Sequence, residues 1–236
     1  MKKISLGLLV FNENQNLEKT IKKAFDDLKK ICENFEIWVF DNNSTDDTRN
    51  TVKNLMKHHE NLKLFCNEIN LGYANNFSSA ISNMNGEFLF IIDGDGQYDI
   101  SDIKNAIEIM NKDKSDILFG IRKPRRDPLI RILMSFFLNI LSNLILGSKL
   151  KDINCGFRGI RYFASKKIII NYKYNFVNPE IYTLCIINNF KITEMKVNHY
   201  HREAGISYFN GIFKTTLTSL KMIKYLYKLK KKLKKN

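Results

Sequence analysis

At 236 residues and 44% hydrophobic, the chain is long enough to bury a substantial core within one domain. Cys32, Cys66, Cys155 and Cys185 are scattered, with no Cys-x-x-Cys pair and no histidine at zinc-finger spacing, which argues against a disulfide framework or a structural zinc site. The formal net charge is +14, but no acidic residue follows Glu203 and nine lysines fall in the last 23 residues, so removing those nine leaves +5 and the basicity belongs mainly to the tail.

The opening segment has the outline of a secretion signal. Its apolar run is only about six residues, however, and it leads into Asn12-Glu13-Asn14 without a small-residue cleavage site. Residues 4–11 therefore read as a first buried strand. Leu17, Ile21, Ala24, Phe25, Leu28 and Ile31 follow at helical spacing, and 36–40 is a second strand. Residues 44–57 read as a helix capped by Ser44 or Thr45 with Asp46 and Asp47 in its first turn. Strands at 62–66, 87–92 and 117–120 alternate with helices at 72–84 and 99–110. This βαβα series predicts an α/β domain with a mostly parallel, Rossmann-like sheet flanked by helices.

The second half changes character. Residues 128–147 are strongly apolar and nearly long enough to span a bilayer core at about 1.5 Å per residue. Arg131, Asn139, Ser142 and Asn143 interrupt them, so an amphipathic helix lying in a membrane interface, or packed on the domain, fits better than a spanning one. Residues 211–236 interleave Ile212, Phe213, Leu217, Leu220, Ile223, Leu226, Tyr227 and Leu229 with lysines, a C-terminal amphipathic helical appendage. Domain organisation is thus read as an α/β domain over 1–210 and a basic tail over 211–236. Each tail lysine near an anionic membrane surface contributes about 1 kcal/mol. With no recognition module ahead of the tail, nucleic acid is not expected as a partner.

In an open parallel sheet, ligands bind beyond the carboxyl ends of the strands. Three polar clusters fall there: Asn12-Glu13 after the first strand, Asp41-Asn42-Asn43-Ser44 after the second, and Asp93-Gly94-Asp95-Gly96-Gln97 after the fourth. Two carboxylates separated by one residue can converge on a hard divalent cation and leave positions for diphosphate oxygens, with Gln97 supplying a neutral oxygen. An acidic turn alone is more often only a turn.

The order of several such motifs resembles the family 2 glycosyltransferases of the GT-A fold, and among them the polyprenyl-phosphate sugar synthases typified by dolichol-phosphate mannose synthase. The resemblance covers about residues 4–210. It runs through Asn12-Glu13, Asp41-Asn42-Asn43-Ser44, Asn70-Leu71-Gly72, the stretch 86–97, Gly120-Ile121-Arg122, Asp152-Ile153-Asn154-Cys155-Gly156-Phe157-Arg158 and the segment from Arg202 to Ser207. Leu9, Phe11 and Asn42 depart from the family pattern, where Pro, Tyr and a second Asp are usual.

The resemblance implies that Glu13 and Asp41 contact the nucleotide and that Asp93, Asp95 and Gln97 bind the metal, Mg²⁺ or Mn²⁺, and the diphosphate. Arg122, Arg131, Arg158 and Arg202 are either ordinary surface arginines or guanidiniums that fork phosphate groups. Arg131 and Ser135 are neighbours on one helix face. A similar Arg and Ser hold the acceptor phosphate in the lipid-phosphate synthases, so Arg131 and Ser135, with Arg202, are expected at an acceptor phosphate. The implied reaction is an inverting, metal-dependent transfer from a nucleotide-sugar donor to a dolichyl or undecaprenyl phosphate. The enzyme would sit peripherally at the cytoplasmic face of a membrane, with a membrane-protein partner as an option. The alternatives are a relative acting on a hydroxyl acceptor, for which Glu180 is the candidate for a base or for acceptor positioning, and a non-catalytic membrane-associated subunit. The histidines lack metal-ligand spacing and read as solvated or structural.

Overall fold

A computed structural model describes residues 3–170, 177–203 and 212–234. Seven strands form one sheet: β1 (Ile4–Val10), β2 (Phe35–Asp41), β3 (Leu62–Cys66), β4 (Phe88–Asp93), β5 (Ile117–Arg122), β6 (Arg158–Arg161) and β7 (Ile192–Val197), in the order β3-β2-β1-β4-β6-β5-β7. All pairings are parallel except those of β6, which runs antiparallel to both β4 and β5. The mostly parallel sheet agrees with the reading of the sequence. Strand β6 was not legible there, because four residues (Arg-Gly-Ile-Arg) carry too short a period to register.

Helices cover both faces: α1 (Asn14–Ile31), α2 (Thr48–Met56), α3 (Tyr73–Asn83), α4 (Asp102–Lys112), α5 (Leu129–Leu146), α6 (Tyr162–Ser165), α7 (Val177–Ile187) and α8 (Ile212–Leu233). Alternation along β4 divides the core. Phe88, Phe90 and Ile92 join the layer with Leu17, Ile21 and Leu28 of α1 and Ile103 of α4, whereas Leu89 and Ile91 join Phe77 of α3, Leu138 of α5 and Ile181 of α7. Strand β1 is buried at every position, as expected for a strand covered on both sides.

Helix α2 begins at Thr48, four residues later than the sequence suggested. Ser44 and Thr45 are used elsewhere: Ser44 N–H donates to Asp41 (3.1 Å), Ser44 Oγ accepts from Asn12 N–H (2.9 Å), and Thr45 N–H donates to Asn12 Oδ1 (2.8 Å). Asp46 Oδ1 instead receives the Thr48 N–H at 3.0 Å. The would-be cap residues thus tie the turn after β2 to the turn after β1.

The basic C-terminal helix is not a free appendage. It lies against α5 and α7, and Tyr225, Leu226 and Leu229 are 6%, 0% and 2% exposed within the same core cluster as Leu138 and Ile145 of α5. Lys224, Lys228 and Lys231 remain exposed. Side chains at 212–220 lie outside the described set, so the expected apolar stripe is visible only in its second half. Helix α5 turns an apolar face outward: Leu129, Ile130, Leu133, Phe136, Phe137 and Leu144 are all more than half exposed. By length and composition it is also the one helix among the described residues that qualifies to cross a membrane.

Candidate active site

The strand order puts β1 between β2 and β4, with Val10 opposite Asp41 and Leu9 opposite Asp93. Three polar turns that are far apart in sequence therefore meet at one carboxyl-end rim. Asp93 closes β4, and Gly96 at φ +75° reverses the chain behind Asp95.

Asp93 is pressed into an unusual position. A Cβ on Gly156 would stand 2.3 Å from Asp93 Oδ2, so only glycine lets the loop before β6 close on the carboxylate. Gly156 N–H is itself held by the Tyr98 hydroxyl at 2.7 Å. Tyr73, at the start of α3, hydrogen-bonds to the Asp93 side chain. The other oxygen, Oδ1, is buried with no hydrogen-bond partner. Burial first, and then the neighbouring charge of Asp95, raise the Asp93 carboxyl to about 6. Burial also raises that of Asp95.

Asp95 Oδ1 accepts the Gln97 N–H at 3.1 Å, and Oδ2 meets Arg202 Nη1 at 3.3 Å. Arg202 Nη2 donates to Glu13 Oε1. Glu13 is 8% exposed, and burial pushes its carboxyl up against the pull of Arg202. Glu13, Asp95 and Arg202, predicted from three distant motifs, are thus brought together. Gln97 sits beside them, its Nε2 committed to Tyr200 O at 3.0 Å and its carbonyl oxygen left as the acceptor end. Of the segment containing Arg202, residues 204–207 lie outside the described set.

The residue set fits a hard divalent cation. A buried carboxylate oxygen without a donor, two carboxylates whose charge is opposed by burial, and a neutral amide oxygen are what such an ion stabilises. Among the described residues no group of three or more His, Cys, Asp or Glu could hold a metal, so the two aspartates would need Gln97 and ligand oxygens to complete the shell.

Other predicted residues are engaged differently. Asp41 is fully buried and gripped by the Ser44 N–H and by Arg49 Nε, whose Nη2 also reaches Asn43 Oδ1 at 2.9 Å. Arg49 carried no sequence signal, since it sits eight residues on within an ordinary helix. Asn42 Oδ1 accepts from Asn67 Nδ2 and Leu71 N–H, and its Nδ2 donates to Asn70 Oδ1. An amide there both donates and accepts, which a carboxylate cannot do.

Arg122 makes a bidentate pair with Asp152 (2.8 and 2.7 Å) and a further bond to Asp127 at 3.2 Å, so its fork is filled by protein carboxylates. Arg131 reaches the same Asp127 at 3.4 Å, remains 35% exposed, and its charge acts on both Asp93 and Asp95. Ser135 is 9% exposed and lines a cavity of about 380 Å³ with Arg125, Lys149 and Lys151.

Arg158 is 1% exposed. Its Nη2 donates to Cys155 O (3.0 Å) and Asn178 Oδ1 (2.8 Å), the guanidinium stacks 3.9 Å over Phe119, and Nε and Nη1 have no partner. It therefore braces the Gly156 loop against α7 from beneath. Glu180 is 2% exposed at the start of α7. His199, 3% exposed and stacked edge-on against Tyr98, is pushed by burial down to about 4 and is structural.

The sequence matches the family model described as glycosyl transferase family 2 over residues 5–169. Dodecaprenyl-phosphate galacturonate synthase of Rhizobium johnstonii is 26% identical over 227 residues, covering 95% of this chain and 66% of that protein. Dolichyl-phosphate beta-glucosyltransferase ALG5A of Trichomonas vaginalis is 25% identical over 234 residues, 93% of this chain and 72% of the relative. Among solved structures, the mannosyltransferase PcManGT of Pyrobaculum calidifontis in complex with GDP-Man and Mn²⁺ superposes with a TM-score of 0.63 at 15% identity. That likeness is one of fold, and it covers 88% of this chain and 59% of the mannosyltransferase. The chain thus spans just under two thirds of the galacturonate synthase and less of the mannosyltransferase.

Proposed function

The chain belongs to glycosyl transferase family 2 and is a glycosyltransferase of the GT-A fold, and from that premise we propose that it transfers a sugar from a nucleotide-sugar donor to a polyprenyl phosphate at the cytoplasmic face of a membrane. The observation that carries this reading is Arg131. It stands in the first turn of α5, the helix with the exposed apolar face, is partly exposed, and pairs with Asp127, which Arg122 also holds. A lipid lying along α5 would have its phosphate at Arg131, at the end of the helix nearest β5 in sequence.

In this reading the phosphate oxygen attacks the anomeric carbon from the side opposite the leaving group. The new carbon–oxygen bond forms as the bond to the donor diphosphate breaks, its electron pair leaves with the nucleoside diphosphate, and configuration inverts. A divalent cation, Mg²⁺ or Mn²⁺, held by Asp93, Asp95 and the Gln97 carbonyl would offset the charge that builds on the departing diphosphate. Arg131, Ser135 and Arg202 hold the acceptor phosphate. Glu13 faces the nucleotide, while Asp41, closed in by Arg49, fixes the turn that borders it. Arg122 and Arg158 act through the loops they brace.

A phosphate monoester has a second pKa near 6 and is largely ionised at neutral pH, so the reaction needs no strong protein base. The near-complete burial of Glu180 weighs against the hydroxyl-acceptor alternative, which requires such a base to be reachable. Attachment to the membrane is peripheral, through α5 and the lysines of α8, with or without a membrane-protein partner.

Purified protein incubated with a panel of nucleotide sugars, with and without undecaprenyl or dolichyl phosphate, is expected to yield a polyprenyl-phosphate sugar by mass spectrometry. Asp95→Asn or chelation of divalent cations should abolish the product. Transfer only to hydroxyl acceptors would overturn the acceptor assignment, and undiminished activity of Asp95→Asn would overturn the metal assignment.

A further inference from the structure

After β7 the chain folds back across the donor rim. Tyr98 and His199 form an isolated antiparallel bridge, Tyr200 N–H donates to Gln97 O at 2.8 Å, and Gln97 Nε2 returns a bond to Tyr200 O. Two residues on, Arg202 spans Glu13 of the first turn and Asp95 of the fourth, with side-chain exposures of only 19%, 9% and 13% for the three. Both oxygens of Asp95 are then occupied, Oδ1 by Gln97 N–H and Oδ2 by the guanidinium, whereas Asp93 Oδ1 has no partner. The two carboxylates of the Asp-x-Asp turn are therefore unequal: Asp93 keeps one oxygen without a hydrogen-bond partner, and Asp95 already holds a guanidinium.

We propose that Arg202 is a resident counter-ion that competes with the divalent cation for Asp95 and is released to the phosphates only when a nucleoside diphosphate arrives with the metal. A guanidinium and a divalent ion cannot both sit against one carboxylate oxygen without strong repulsion, which a partly buried site screens poorly. Moving Arg202 off Asp95 with no new anion to receive it would cost a largely buried guanidinium one of its carboxylate partners. The diphosphate removes that obstacle, because it offers the planar fork a better partner. Cation and nucleotide thus bind with positive coupling.

The inference rests on the reading that Asp93 and Asp95 hold a divalent cation, and it is tested by binding rather than by turnover. Mn²⁺ is titrated into the full chain, with free Mn²⁺ followed by electron paramagnetic resonance, in the absence and presence of UDP or GDP. Wild type is expected to bind Mn²⁺ alone weakly and with the diphosphate much more tightly. Arg202→Gln should bind Mn²⁺ alone about tenfold more tightly, equal to about 1.4 kcal/mol, and lose that factor from its coupling to the diphosphate. Arg202→Lys keeps the charge and should keep most of the weak binding, and Arg202→Met serves in place of the Gln variant if the latter does not fold. A neutral variant that binds Mn²⁺ alone no better than wild type overturns the counter-ion role. Mn²⁺ binding that survives Asp95→Asn unchanged instead overturns the metal reading itself, so the two failures are distinguishable.

Discussion

At the scale of single residues, the close approach of Gly156 to Asp93 is the tightest constraint in the site. The added methyl of Gly156→Ala would fall 2.3 Å from Asp93 Oδ2 and 3.1 Å from the Tyr98 hydroxyl. The loop cannot retreat freely, because Arg158 holds the carbonyl next to it. We expect a folded protein whose kcat/KM for sugar transfer falls by about 100-fold, the scale on which a displacement of about 1 Å at a catalytic group acts. Steady-state kinetics beside a thermal melt checks this, and wild-type kinetics would remove Gly156 from the metal site. The Asp-x-Asp turn was legible in sequence because its residues are contiguous and follow a buried strand. Gly156 was legible only as part of a motif, and Tyr73 and Arg49 not at all, because each meets its carboxylate through chain reversals that no local period records. Arg158 is not the surface arginine the sequence allowed as one reading: it is a buried cation stacked on Phe119 whose Nη2 donates to the Cys155 carbonyl and to Asn178.

At the scale of elements, the sequence supplied the parallel half of the sheet because its strands are apolar runs separated by amphipathic helices. It did not supply β6, which is short, or β7, whose Ile-Thr-Glu-Met-Lys-Val lies at the sheet edge with mixed burial. In helix α8, Leu226 and Leu229 are buried in the domain core while Lys224, Lys228 and Lys231 stay exposed, so the apolar stripe and the charges do separate work. Leu226→Ala is expected to destabilise the protein by about 2–4 kcal/mol, measured by urea unfolding. Replacing exposed Lys224, Lys228 and Lys231 by Gln should leave stability nearly unchanged and lower the affinity for anionic vesicles by about 1 kcal/mol per charge. If the lysine variant unfolds as readily as the leucine variant, the division of labour fails.

At the scale of the whole molecule, the proposed attachment to a membrane has two physically separate sources, and they respond differently to salt. Lysines act over a Debye length of about 8 Å at physiological ionic strength and weaken as salt rises. The outward face of α5 acts by removing apolar surface from water, which added salt does not screen. Phe136 and Phe137 are 57% and 62% exposed and stack edge-to-face with each other, a pair with no partner among the described residues to cover most of its surface. Burying the exposed part of each ring is worth roughly 1–2 kcal/mol on an area basis. The double variant Phe136→Ser/Phe137→Ser should therefore lose about 30-fold or more in partition to vesicles, by the same amount at 0.1 M and 1 M salt, and its loss should appear on neutral vesicles too. The lysine variant should lose binding only on anionic vesicles and only at low salt. Sedimentation of both variants with neutral and anionic vesicles across that salt range separates the terms. A phenylalanine variant that partitions like wild type on neutral lipid would mean that the α5 face meets a protein rather than a bilayer, and the route by which a polyprenyl chain reaches Arg131 would then run through that protein.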